Sequence, residues 1–277
     1  MRIRLLHRTS YIYDEPTGAV IQVLRRTPRN TESQHVRHWR LDFDHDVQVL
    51  ATEDAFGNTV HSLSYTRPLD DLSVTVQGEI ETRESHGVVR GALERFPPGL
   101  YLRETPLTQS DAALRKFARD KAGKGKSLKK LHQILVALQE EFEVDPKLTD
   151  IALPGAKAFA AGRGMPKDLA HVFIAAAHSL EIPARFIAGY FLTGQDEGAW
   201  RAAAHAWAEG YVPDVGWIGF DPTQGASPSQ SHIRVSMALD CLGAAPLRGT
   251  AQGDVEERLE VTVLADHADH PGHQHQQ

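Results

Sequence analysis

Cys241 is the single cysteine in a chain of 277 residues. One sulfur can form neither an intrachain disulfide nor a cysteine-based zinc cluster, so nothing covalent staples the fold. Long apolar runs are also missing: the roughly 18 to 20 uninterrupted apolar residues of a membrane-spanning helix occur nowhere. Basic residues do not dominate, with 30 Lys and Arg against 36 Asp and Glu for a net charge of −6. That balance argues against a nucleic-acid partner, whose phosphates require clustered cations. The densest basic run, Lys121, Lys124, Lys126, Lys129 and Lys130, is short and reads as a solvated loop and helix start. The opening residues, Met1 to Arg8, lack the apolar stretch of a secretory signal, so no membrane association is expected and the cytoplasm is the expected compartment.

What is present is ordinary globular composition, 41% hydrophobic and 24% charged. At this length folding buries roughly 75% of the surface of the unfolded chain, enough for a sizeable core. The first third alternates like strands: Leu72, Val74, Val76 and Ile80 are separated by polar residues, as are Trp39, Leu41 and Phe43, and Gly57-Asn58 punctuates a hairpin. We place an antiparallel β domain at 1–88 and a Gly- and Pro-rich connector at 89–107. Beyond it the period becomes helical. Ser110 is positioned to cap a helix carrying Leu114 and Phe117, Ser127 precedes one carrying Leu131, Leu135 and Leu138, and Pro166 opens one carrying Leu169, Val172, Phe173 and Ala176. Strand-like runs follow Pro183, ending in Leu259, Val261 and Val263. Helices followed by strands indicate an α+β core over 108–265. Residues 266–277 are polar, hold His267, His270, His273 and His275, and read as a disordered tail.

Several blocks resemble the bacterial transglutaminase-like superfamily, whose core is shared with papain-type cysteine proteases. Gly162-Arg163-Gly164-Met165-Pro166-Lys167-Asp168-Leu169-Ala170-His171 is similar to that family's G-R-G-V-C-Q-D-F-A-H. His205-Ala206-Trp207-Ala208-Glu209 and Gly216-Trp217-Ile218-Gly219-Phe220-Asp221-Pro222-Thr223 resemble its H-A-W-x-E and G-W-x-x-F-D-P-T blocks. Residues 1 to 85 resemble its N-terminal β region, through Leu24-Arg25, Thr27-Pro28 and Asp54 with Phe56-Gly57-Asn58. His232-Ile233-Arg234-Val235 and Pro246-Leu247-Arg248-Gly249 resemble its C-terminal signature. The resemblance implies an N-terminal antiparallel β domain followed by a core of helices packed on an antiparallel sheet.

The chemistry it implies is acyl transfer, in which a thiolate attacks an amide carbonyl, a His moves the proton and an Asp orients the His. By this likeness His205 is the base and Asp221 its orienter, while the nucleophile position falls on Pro166. Lys167, Asp168, His171, Trp207 and Trp217 are the candidate substrate-contacting positions, with Trp207, Trp217 and Phe220 read as core and cleft wall rather than a ligand stack. Proline removes the sulfur and also the backbone N–H that helps bind an oxyanion in papain-like sites. Losing a triad nucleophile costs about 10⁶ in rate, and losing one oxyanion donor a further ~10² to 10³. The fold tolerates the exchange, because a first-turn N–H has no partner within the helix.

Three functions follow in descending order. The first is an inactive transglutaminase-like protein that binds a partner protein or peptide in the former cleft, with no cofactor and no metal; family analogy suggests an ATP-grasp-like enzyme as partner. The second is a cysteine-independent amide or ester hydrolase or acyl transferase using His205 and Asp221. The last is metal-dependent hydrolysis through His171, His205 and Asp168. Same-face placement of His205 and Asp221 requires an odd hairpin loop, such as Pro213 to Val215, because side chains alternate with period two.

Overall fold

Alternating burial lays down the first strands. In a computed structural model describing residues 1–145, 152–196, 199–251 and 257–267, with backbone alone at 194–196, 199–201 and 257–267, β1 (Arg2–Thr17) buries Ile3, Leu5, His7, Thr9, Tyr11 and Tyr13 on one face. It is followed by β2 (Val20–Thr27), β3 (Gln34–Phe43), β4 (Gln48–Glu53), β5 (Thr59–Tyr65) and β6 (Leu69–Thr82). Leu72, Val74, Val76 and Ile80 of β6 are fully buried, each such side chain contributing about 1.5–3 kcal/mol of hydrophobic stabilisation. The hairpin expected at Gly57-Asn58 joins β4 to β5. Asp54 shapes it by accepting the Phe56 and Asn58 N–H groups, both at 3.0 Å, while Gly57 takes φ 83°, a conformation glycine adopts without strain.

The connector carries one 3-10 turn, Pro98–Leu102, and leads into α1 (Ala112–Ala122), α2 (Ser127–Glu141), α3 (Gly155–Ala161) and α4 (Pro166–Ser179). Two short strands, β7 (Glu143–Val144) and β8 (Arg163–Gly164), pair in parallel just before α4. The cap of α1 is Asp111, not Ser110 as the sequence suggested: the Asp111 carboxylate accepts the Leu114 N–H at 2.8 Å, and Ser110 instead receives the Arg115 guanidinium. Ser127 is the first residue of α2, and Lys126 before it makes no side-chain cap. The short α3 lacked a clear apolar period, although Pro154 before it and Gly162 after it, left-handed at φ 66°, bound it as start and stop signals do.

α4 is the centre of the core, with every residue from Asp168 to His178 buried. It packs on β9 (Ala184–Asp196) and β10 (Ala199–Val212), where Ala184, Ala188, Ala206 and Ala208 are small enough to let the helix lie close to the sheet. β11 (Gly216–Phe220), β12 (His232–Ala238), β13 (Leu247–Ala251) and β14 (Glu257–His267) complete the described strands. The main sheet runs β12-β9-β10-β14-β1-β6-β3, with β11 on β10. β14 lies antiparallel to β1 from Ile3↔His267 to Tyr13↔Glu257, and β13 pairs with β2 in a second sheet, β13-β2-β5-β4. The C-terminal strands therefore return to the N-terminal region, and one sheet runs through both halves. At its ends the Gln34 carboxamide mimics a strand pair with Arg234, donating to its C=O at 2.9 Å and accepting its N–H at 2.8 Å. Of the tail expected from residue 266, Asp266 and His267 end β14, while His270, His273 and His275 lie outside the described residues.

Candidate functional site

The β10–β11 hairpin sets the site. Its last pair is Val212↔Gly216, so Pro213, Asp214 and Val215 form a three-residue loop, with Asp214 at φ 68° and Gly216 at φ 100°. An odd loop keeps odd-numbered residues of both strands on one face. His205 and Asp221 meet there, His205 Nε2 lying 2.6 Å from Asp221 Oδ2. Opposite His205 on β9 stands Gly189, where a Cβ would come within 2.0 Å of the Ile233 carbonyl oxygen and 2.8 Å of the Trp207 ring.

Asp221 is fully buried and saturated. Its Oδ2 also accepts from His232 Nε2 at 3.1 Å, and its Oδ1 accepts the Thr223 hydroxyl at 2.5 Å and the Thr223 N–H at 3.0 Å. Burial alone pushes this carboxyl up, but the hydrogen bonds from His205 and His232, the His205 charge and the Thr223 hydroxyl outweigh it and hold Asp221 below the usual carboxylate range. Thr223 Oγ1 also lies 3.4 Å from His205 Nε2, on the side already facing the carboxylate, and its proton goes to Asp221. His205 Nδ1 has no hydrogen-bond partner among the described residues, which leaves it able to accept a proton.

His232 was not assigned to the site from sequence, and only its place in the His232-Ile233-Arg234-Val235 block marked it. Its Nδ1 accepts the Ser229 N–H at 3.1 Å, which places the proton on Nε2, facing Asp221. His205, Asp221 and His232 bring ligand atoms within 4.8 Å of one another, the spacing of a metal centre. With its proton on Nε2, however, His232 is a donor to Asp221 and not a metal ligand in this arrangement.

The other metal set suggested by sequence, His171 with His205 and Asp168, does not assemble. His171 Nδ1 donates to the Leu153 carbonyl at 3.2 Å and Nε2 accepts the Cys241 N–H at 3.1 Å, so both ring nitrogens are occupied, and burial lowers the imidazole pKa. Asp168 receives the Leu153 N–H on Oδ1 at 2.9 Å and the Met165 N–H on Oδ2 at 3.0 Å. These two residues fasten the start of α4 to the segment before α3. Pro166 is the first residue of α4, behind an extended Met165 at φ −73° and ψ 165°. Cys241 sits beside Lys167, Asp168 and Asp240, and burial followed by the Asp240 charge pushes its thiol up to about 12.

Trp207 and Trp217, candidate substrate contacts that the sequence reads as core and cleft wall, are buried at 2% and 5% exposure and clustered with Tyr101, Ile187 and Met237. Flat apolar walls are needed here because the neighbouring charges are buried. The Arg185 guanidinium lies 3.9 Å over the Trp217 ring and binds Glu94 from the connector at 2.6 and 2.9 Å and Glu209 at 2.7 Å, while Arg234 binds Glu209 from the other side at 2.7 Å. Nothing in the spacing of these four residues announced that network, since its members come from four separate parts of the chain.

A helix fastened by its N-terminal turn beside a sheet that pairs His with Asp defines the architecture of the papain and transglutaminase class. The description "Bacterial transglutaminase-like N-terminal region" matches residues 3–81, and "Transglutaminase-like superfamily" matches residues 115–222. The chain belongs to the transglutaminase-like superfamily and carries the bacterial N-terminal region of that group. An uncharacterised Mycobacterium leprae protein is 26% identical over 292 residues, covering 95% of this chain and 99% of its own. An uncharacterised Mycobacterium tuberculosis protein is 24% identical over 298 residues, covering 95% and 91%. A Cytophaga hutchinsonii crystal structure assigned as a cysteine protease superposes with a TM-score of 0.75 at 21% identity, covering 98% of this chain and 92% of that one, a likeness of fold. Among the described residues no helix is long and apolar enough to cross a membrane.

Proposed function

We propose that this protein is a catalytically inactive member of its superfamily that works by binding a partner protein or peptide in the former substrate cleft. One observation carries the reading: Pro166 opens α4 where the superfamily pattern places a nucleophilic cysteine, and the lone thiol, Cys241, is held beside His171 with its pKa near 12. Proline offers neither sulfur nor N–H, so attack and oxyanion binding are lost together. The retained His205–Asp221 pair then acts as a structural hydrogen bond, since unpairing a buried carboxylate costs about 1–3 kcal/mol.

The free Nδ1 of His205 favours a second reading, a hydrolase that uses this imidazole as a general base on water. One experiment separates the two. Purified protein is assayed on amide and ester substrates beside its His205→Ala variant, and the native protein is analysed for co-purifying protein or peptide. The binding reading expects no turnover above background and a stoichiometric companion; turnover abolished by His205→Ala establishes the hydrolase instead.

A further inference from the structure

The basic run at 121–130 spans the end of α1, an exposed loop and the start of α2, and it borders an apolar surface. Lys121, Lys126 and Lys129 line a groove of about 880 Å³ together with Leu128, Val136 and Ala137 of α2, and the surface it offers is mostly apolar. Val136 lies inside α2 yet is 46% exposed, one of the larger apolar side chains left in solvent. Lys121 is tied to Glu141, whereas Lys126 and Lys129 make no ion pair among the described residues, and Glu140 is the one acid lining the groove. A chain of net charge −6 thus places two cations without an ion-pair partner among the described residues beside a shallow apolar groove. The same groove reaches His132, whose ring packs edge-on against Phe220 at 5.3 Å, one residue before Asp221.

The geometry points to a docking site for an acidic amphipathic helix of a partner protein. The apolar side of such a helix covers Val136 and Leu128, and its carboxylates meet Lys126 and Lys129, the arrangement of helix-in-groove recognition. A helix is favoured over a bilayer because Val136 is the one large apolar side chain α2 leaves exposed, whereas binding in a membrane interface needs an apolar face running along the whole helix. This inference stands apart from the reading of Pro166 and holds whether or not His205 supports turnover.

The test is selection from a display library of random peptides of about 16 residues, long enough for a helix of roughly 24 Å. The expected result is enrichment of sequences with Leu, Ile, Val or Phe at helical spacing flanked by Asp and Glu. A synthesised winner binds native protein, weakens as salt rises from roughly 50 to 500 mM, and binds at least about tenfold more weakly to Lys126→Glu/Lys129→Glu. Val136→Asp gives the same loss, and the lysine variant, altering only exposed charge, keeps the test meaningful if Val136→Asp misfolds. No enrichment, enrichment of uncharged or basic peptides, or winners that bind the lysine variant equally well overturns the inference. So does co-sedimentation with phosphatidylglycerol vesicles that is lost in the variant while no peptide is selected, which assigns the groove to a lipid surface. Self-association lost in the variant, again without peptide selection, assigns it to a second copy of the chain.

Discussion

His205 on β10 and Asp221 just past the end of β11, sixteen residues apart, meet at 2.6 Å because a three-residue loop keeps them on one face of the sheet. The pair is embedded unequally. Asp221 answers two imidazoles and Thr223, while His205 answers mainly Asp221.

That asymmetry predicts which member matters for stability. Asp221→Ala leaves two imidazole N–H groups, the Thr223 N–H and the Thr223 hydroxyl without their acceptor and is expected to destabilise by about 3–5 kcal/mol. His205→Ala leaves Asp221 with His232 and Thr223 and is expected to cost only about 1–2 kcal/mol. Urea denaturation with a shared m-value checks this, and equal losses for both variants contradict it.

The thiol offers a chemical test of the register at residue 166. With a pKa near 12 against about 8.5 for a free cysteine, Cys241 holds on the order of three thousandfold less thiolate at neutral pH and should be alkylated correspondingly slowly by iodoacetamide. In Pro166→Cys the introduced thiol sits at the start of α4, where the positive helix end, and His205 under the register proposed above, favour thiolate. Mass spectrometry is expected to find that position modified first near pH 7, and more slowly once His205→Ala is added. An introduced thiol as sluggish as Cys241 places the helix start away from His205.

Acid should unfold the protein partly through Glu209. Burial pushes this carboxyl up, but Arg234 and Arg185 together overcome it and bring it down to about 2 from the ordinary 4.5. A depressed folded pKa means the unfolded chain takes up the proton first, so the contribution is complete above pH 4.5 and is lost as pH falls towards 2. It amounts to about 3 kcal/mol, an order-of-magnitude figure for a group buried between two guanidinium ions. Melting temperature against pH is expected to fall steeply over that window in native protein and more shallowly in Glu209→Gln, which starts lower because Arg234 loses its anion and Arg185 keeps only Glu94. Parallel curves would mean that other carboxylates govern acid unfolding.

Gly189 faces His205 where three strands crowd. A methyl there meets the Ile233 carbonyl at 2.0 Å, and backbone cannot swing aside as a flexible side chain does. Gly189→Ala is expected to cost more than about 3 kcal/mol or to abolish soluble expression. Gly99→Ala, with nothing within 4 Å of the added carbon, is the matched control, and similar melting temperatures for the two variants would refute the steric account.

Much of this molecule follows from local pattern. Alternation fixed the faces of β1 and β6, Pro166 marked the first turn of α4, and the parity of Pro213 to Val215 sufficed to bring His205 and Asp221 together, because strand period and helix capping depend on neighbours in sequence. Tertiary structure alone decided that His232 joins Asp221, that Glu94, Arg185, Glu209 and Arg234 share one buried network, that Trp207 and Trp217 wall it off, and that β14 closes against β1. Those are contacts between residues far apart along the chain, settled by which charges the packed core leaves in need of a partner, and no short-range period records them.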